Sequence, residues 1–123
     1  MVVSKGTSYE MGADASGNLY WDGVGAQADD GSAKVTSGTW HHIVVTNDDT
    51  TVTYYVDGAS TGTDAAGIDT DNATNLIIGG DGTNFFDGLI DDVRIFNYAL
   101  SAKQILNIMN DGAYRWGPAE GSP

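Results

Sequence analysis

The chain has 123 residues, 17 acidic and 5 basic side chains and a formal charge of -12, with a pI near 4.1. A surface so acidic excludes binding to nucleic-acid phosphates through its own charge. Apolar residues at 41% and aromatics at 10% suffice for one packed domain, and the lack of cysteine excludes a disulfide framework or a thiolate metal site.

No apolar run approaches the roughly 18 to 20 residues that cross a bilayer, so membrane insertion is not expected, and the opening MVVSKGTSYE lacks the apolar stretch of a signal peptide. An extracellular protein of this sequence would have lost its export signal or carry it elsewhere. Ser8 to Met11 and Leu19 to Trp21 read as paired strands across the turn-like Asp14-Ala-Ser-Gly-Asn18. Trp40 to Thr46 (WHHIVVT) and Val52 to Val56 (VTYYV), rich in β-branched and aromatic residues, form a hairpin across Asn47 to Thr50 and stop at Asp57-Gly58. Thr61 to Thr74 is polar and reads as a long loop. Leu76 to Ile78 is a short strand ending at Gly79-Gly80, and Leu89 to Phe96 makes the longest strand of the C-terminal half. Aspartate precedes glycine at positions 22, 30, 57, 81, 87 and 111, and most of these steps are expected to be turns. One helix is predicted. Ser101 and Gln104 fit a capping box, Leu100 and Ile105 a hydrophobic staple, and Ile105, Ile108 and Met109 share one face before Gly112 suits the left-handed position that ends it. Many strands followed by one helix predict an all-β, antiparallel two-sheet sandwich over residues 1–112, with 113–123 as a tail that either docks through Trp116 or frays.

Gly38-Thr-Trp-His-His-Ile-Val-Val-Thr46, Tyr55-Val-Asp-Gly58, Leu76-Ile-Ile-Gly79 and above all Phe86-Asp-Gly-Leu-Ile-Asp-Asp-Val-Arg-Ile-Phe-Asn-Tyr-Ala-Leu-Ser101 resemble the consecutive motifs of laminin-G-like jelly-roll domains, within the concanavalin A-like lectin and glucanase superfamily. The resemblance implies two curved antiparallel sheets, a fold that serves carbohydrate binding, adhesion, protein contacts and, in some branches, glycan hydrolysis. Relatives carry strands and a tryptophan-containing segment ahead of the position of Lys5, so the resemblance implies an N-terminally shortened sandwich with an open sheet edge. A homo-oligomer or a partner chain is expected to complete that sheet by strand addition. Hydrolases of the superfamily resemble one another in a strand with two glutamates separated by an aspartate. This chain has only Glu10 and Glu120, so it is not expected to be an enzyme.

The residues themselves agree. A retaining glycosidase needs two carboxyls about 5 to 5.5 Å apart, whereas Asp91 and Asp92, neighbours on a strand, point to opposite faces. His41 and His42 diverge for the same reason, stand beside no nucleophile motif, and read as structural. Along Leu89 to Phe96, alternation places Leu89, Asp91, Val93 and Ile95 on the core face and Asp92 with Arg94 outside as a surface ion pair. An inward Asp91 needs backbone N–H partners or a cation. The resemblance implies structural calcium in many relatives, which makes Asp81, Asp87 and Asp91 the candidate metal ligands, although Asp69 to Ala73 does not fit an EF-hand loop. Sugar-binding modules stack an exposed aromatic on a pyranose. Leu19 and Trp21 share the core face and leave Tyr20 outward, while Phe85, displayed with Asn84 beyond the Asp81-Gly82-Thr83 turn, is the other candidate; the resemblance, whose members carry an aromatic just before the Asp-Gly step, implies that Phe86 is core. Asn72-Ala73-Thr74 matches a glycosylation sequon. The reading is a non-catalytic extracellular or surface-displayed module that recognises glycan or protein. The alternative is a structural virion component, a capsid decoration or fibre protein, that uses the jelly roll for assembly.

Overall fold

A computed structural model describes residues 1–23, 26–29, 35–65 and 71–116. Two antiparallel sheets form. The first runs in the order β4 (Ala26–Asp29), β3 (Leu19–Gly23), β2 (Tyr9–Ala13), β1 (Val3–Ser4), β8 (Ile77–Ile78), and the second in the order β5 (Ile43–Asn47), β6 (Thr51–Val56), β7 (Ala59–Ala65). Among the described residues one helix, α1 (Ala102–Trp116), follows. The architecture is the β-sandwich jelly roll with one short helix that the sequence predicts.

Local chemistry explains both hairpins. Between β2 and β3, Asp14 Oδ1 accepts the N–H groups of Ser16 at 2.7 Å and Asn18 at 2.9 Å, closing the loop that aligns Gly12 with Tyr20 and Met11 with Trp21. Between β5 and β6, Asp48 Oδ1 accepts from Thr50 and Thr51, and Asp49 takes a positive φ of 70°. The register pairs Val45 with Tyr54. Period-two alternation then puts Val52, Tyr54 and Val56 of β6 on the inner face, where they meet Leu19 of the facing sheet; Trp21, Ala13, Val35, Ile43 and Val45 pack around them. Leu19, Val52 and Tyr54 are fully buried, each contributing about 1.5 to 3 kcal/mol of transfer free energy.

Several expectations change. Thr61 to Ala65 belongs to β7, because pairing with the central strand β6 satisfies its backbone and asks no apolar pattern of it. Leu89 to Phe96 forms no strand: among the described residues no ladder partner lies beside it, and Asp92 breaks it with a φ of 52°. Of the Asp-Gly steps, Asp57-Gly58 and Asp81-Gly82 are turns, Asp22-Gly23 ends β3, Asp111-Gly112 lies in the helix, and Asp30-Gly31 falls outside the described residues. Gly112 therefore does not end α1, and Ala113 to Trp116 is helix rather than tail. An interior glycine costs only about 1 kcal/mol relative to alanine, too little to stop propagation.

The start of the helix is as predicted. Gln104 N–H donates to Ser101 Oγ at 3.3 Å while Gln104 Oε1 accepts from Ser101 N–H at 2.8 Å, a reciprocal cap, and Ile105 is fully buried. The helix docks on the β6–β7 turn. Gly58 has a φ of 81°, and a Cβ there would stand 2.6 Å from Leu106 Cδ2. Only glycine satisfies both demands. Gly58→Ala is expected to lower stability by about 2 kcal/mol, on the order of 8 °C in Tm, read by thermal unfolding. Adding Leu106→Ala to that variant should recover the steric part and leave the backbone part. Equal Tm values for wild type and Gly58→Ala would show that the helix does not seat on this turn.

Candidate functional site

The loop from Gly79 to Phe86 leaves the edge strand β8 and is pinned along its length. Gly79 N–H donates to Val2 O at 2.7 Å, Phe86 N–H to Gly79 O at 3.0 Å, and a β-bridge joins Gly80 to Phe85. Within it, Asp81 Oδ1 accepts the N–H groups of Thr83 and Asn84, both at 2.6 Å, and Asp81 Oδ2 accepts the Asn84 side-chain amide at 2.8 Å. These donors, the Asn84 amide first, hold the Asp81 carboxyl down to about 2. The turn displays Phe85, whose ring is 75% exposed. Phe86, predicted as core, is 37% exposed. Its ring lies against Gly88, where a Cβ would come within 2.8 Å of Phe86 Cε1. Asn84 spends its amide on the loop itself.

Tyr20, predicted to be displayed, is half-buried. It stands on the face opposite Trp21 as expected, but its ring covers its cross-strand partner Gly12, where a Cβ would meet Tyr20 Oη at 2.6 Å, and the hydroxyl reaches Met1 Sδ at 3.7 Å. Glycine at position 12 makes the room into which the ring folds. Burial pushes the Tyr20 phenol up, aided by the carboxylates of Glu10, Asp81 and Asp22. Trp21 stacks on Tyr9 with centroids 5.0 Å apart.

A second polar cluster gathers where the chain enters β5. Thr36 N–H donates to His41 Nε2 at 3.2 Å, so the Nδ1 of this imidazole carries the proton and donates to Asp57 Oδ2 at 2.8 Å; Thr36 Oγ1 also stands 3.0 Å from Nε2. Asp57 Oδ1 accepts the His42 N–H at 2.9 Å, and Asp57 N–H returns a bond to His42 O. The hydroxyl, imidazole and carboxylate stand in the order of a hydrolytic relay, but the Nε2 lone pair is held by a backbone donor. The cluster ties the loop to the β6–β7 turn. Burial works to raise the Asp57 pKa, and hydrogen bonds from His41 and His42 outweigh it, so it lies below the usual carboxylate range. Both histidines thus have structural surroundings, as the sequence implies. Trp40, 63% exposed beside this cluster, is an exposed ring that strand periodicity hid, because strand β5 begins only at Ile43.

Asp91, predicted to point inward, is exposed, and its Oδ1 accepts the N–H of Asp92 at 2.8 Å. The reason is the missing strand: without a ladder there is no inner face at 89–96. Asp92 and Arg94 pair at the surface as predicted, through two hydrogen bonds of 3.0 Å. Asp87 is exposed. Among the described residues no three acidic or imidazole side chains gather as a cation site, and Asp81 has both oxygens engaged by N–H donors, so these aspartates do not fit a calcium ion. Asn72 of the sequon is tied down, its amide donating to Lys5 O at 3.4 Å and Thr7 Oγ1 at 3.2 Å, and the Thr74 hydroxyl donates to Asn72 Oδ1. Among the described residues no helix is long and apolar enough to cross a membrane.

The sequence model of Laminin_G_3, a family described as the concanavalin A-like lectin/glucanases superfamily, matches residues 1–106. The chain belongs to this family. Among curated proteins none matches it. A solved structure similar to it is an S-layer domain-containing protein from Clostridium thermocellum ATCC 27405 (residues 221–444), at 24% identity and a TM-score of 0.43, covering 86% of this chain and 58% of that one. The laminin-G-like chain therefore spans under two thirds of that structure.

One titration follows from the cluster. Burial, with the Arg94 cation, pulls the His42 pKa below its ordinary value of 6.5 against the opposing pull of Asp57 and Asp92, and His42 Nδ1 is a buried atom with no hydrogen-bond partner. The unfolded chain therefore binds a proton at higher pH than the folded one. Its stabilising effect is complete above about pH 6.5 and is lost as pH falls toward the depressed folded value. Tm should drop between pH 7 and pH 5, and His42→Phe should flatten that drop. An unchanged slope in the variant would assign the acid sensitivity to another group.

Proposed function

We propose that this laminin-G-like domain is a non-catalytic carbohydrate-binding module that stacks a sugar ring on Phe85 at the surface of a cell or particle. The observation that carries the reading is an aromatic ring 75% exposed on a loop whose backbone is fixed by the Asp81 carboxylate. A ring on a mobile loop loses conformational entropy on binding; a ring held in advance loses little. An exposed, preorganised aromatic is the element that engages the apolar face of a pyranose. Membership in a superfamily of lectins and glucanases supports a glycan ligand. The chain has two glutamates, Glu10 and Glu120, and Glu10 accepts a hydrogen bond from Ser4, which supports binding without hydrolysis.

The test is an array of microbial, plant and animal glycans, followed by calorimetry on any hit. Phe85→Ala is expected to weaken binding at least about tenfold with Tm unchanged, Phe85→Trp to retain it, and Asp81→Ala to weaken it through release of the loop. Absence of binding across the array, or binding indifferent to Phe85→Ala, overturns the reading.

A further inference from the structure

The sandwich is closed on one side and open on the other. Edge strand β4 of the five-stranded sheet lies beside edge strand β7 of the three-stranded sheet, which leaves β8 and β5 as edges of the opposite side. Residues 89–96 start beside that opening: Ile90 Cδ1 lies 3.8 Å from the Cβ position of Gly79, directly after β8.

From Val93 to Phe96 the backbone makes no turn, bend or helix, and the Asp92–Arg94 pair joins side chains two residues apart, as they stand in an extended chain. Among the described residues no backbone hydrogen bond joins 89–96 to a strand. Its apolar side chains lie bare on both sides: Leu89 is 76% exposed and Ile95 56%, with Val93 and Phe96 also exposed. An unpaired extended segment with exposed apolar groups is a strand without its ladder.

We propose that a second copy of this chain supplies the ladder, the two 89–96 segments pairing antiparallel about a two-fold axis through Val93. A two-fold interface must be complementary to itself, and the sequence Ile90-Asp-Asp-Val-Arg-Ile-Phe96 is so about Val93. That register sets Val93 against Val93, Asp92 against Arg94 twice, and Ile90 against Phe96 twice; only Asp91 against Ile95 gains nothing. The two internal Asp92–Arg94 pairs, one in each copy, are exchanged for two pairs across the interface. Asp92 leaves its left-handed φ of 52° for the extended region. A formal charge of -12 on each copy opposes association at long range, and at about 0.15 M ionic strength, where the screening length is about 8 Å, that opposition is largely removed. The pairing uses residues 90–96 and not the Phe85 ring, so separate variants read it and glycan binding.

The test is sedimentation velocity of the whole chain from about 1 to 200 μM in low and physiological salt, with hydrogen exchange at the Val93 amide. The wild type is expected to show a monomer–dimer equilibrium that tightens from low to physiological salt, with Val93 protected in the dimer. Asp92→Arg alone and Arg94→Asp alone each bring like charges face to face and should weaken the dimer about tenfold or more, whereas the two together restore it. Both residues are exposed, and thermal melts of the variants confirm that each remains folded. A monomer throughout, a dimer indifferent to the single exchanges, or a double variant that stays weakened each overturns the proposed pairing.

Discussion

Strand β6 is the constraint on which the rest of this domain depends. It is hydrogen-bonded on both edges, by β5 and by β7, and its inner face supplies Val52, Tyr54 and Val56 against Leu19 of the other sheet. The turn that ends it does two further things. Asp57 fixes both histidines at the entrance to β5, and Gly58 receives Leu106 and, at 3.1 Å from its Cβ position, Met109 of the helix. Core, histidine cluster and helix are therefore placed by one strand and its turn, and a backbone shift there reaches all three.

Away from β6 the protein is less consolidated. Among the described residues the fully buried apolar side chains are few, and the exposed large ones concentrate between Leu76 and Leu106. This distribution follows from the ladder. β8 contributes only Ile77 and Ile78, the following loop is held by the Asp81 side chain rather than by a sheet, and among the described residues 89–96 has no ladder partner to define an inner face. Exposure arises there because a pleat buries alternate residues only when a second layer is present to cover them. The same circumstance leaves two exposed features of different character: a single ring at Phe85 on a fixed loop, and a segment at 89–96 with apolar side chains in solvent.

The acidic surface affects these two differently. An uncharged sugar stacked on Phe85 feels little of the field, whereas any protein approach to the open side meets it and depends on ionic strength. Many of the aspartates act locally, by closing turns. Asp14, Asp48 and Asp81 each accept backbone N–H groups two to four residues ahead, which is why so many carboxylates coexist without forming a cation site among the described residues.

By itself the sequence determined what depends on neighbours along the chain. The two hairpins, the Ser101–Gln104 cap, the Asp57-Gly58 turn and the display of Phe85 were legible because turn chemistry, capping and period-two alternation act within a few residues. The motif order identified the fold family for the same reason. What tertiary structure alone decided were questions of partnership across the sandwich. Tyr20 alternates outward as the pattern says, yet folds over Gly12, a residue from the adjacent strand. The polar β7 is a strand only because β6 offers it a ladder. Leu89 to Phe96 has the pattern of a core strand, and Asp91 the position of a buried carboxylate, yet both are exposed. Alternation states which side chains share a face; only a neighbouring strand and a covering layer make one of those faces the inside.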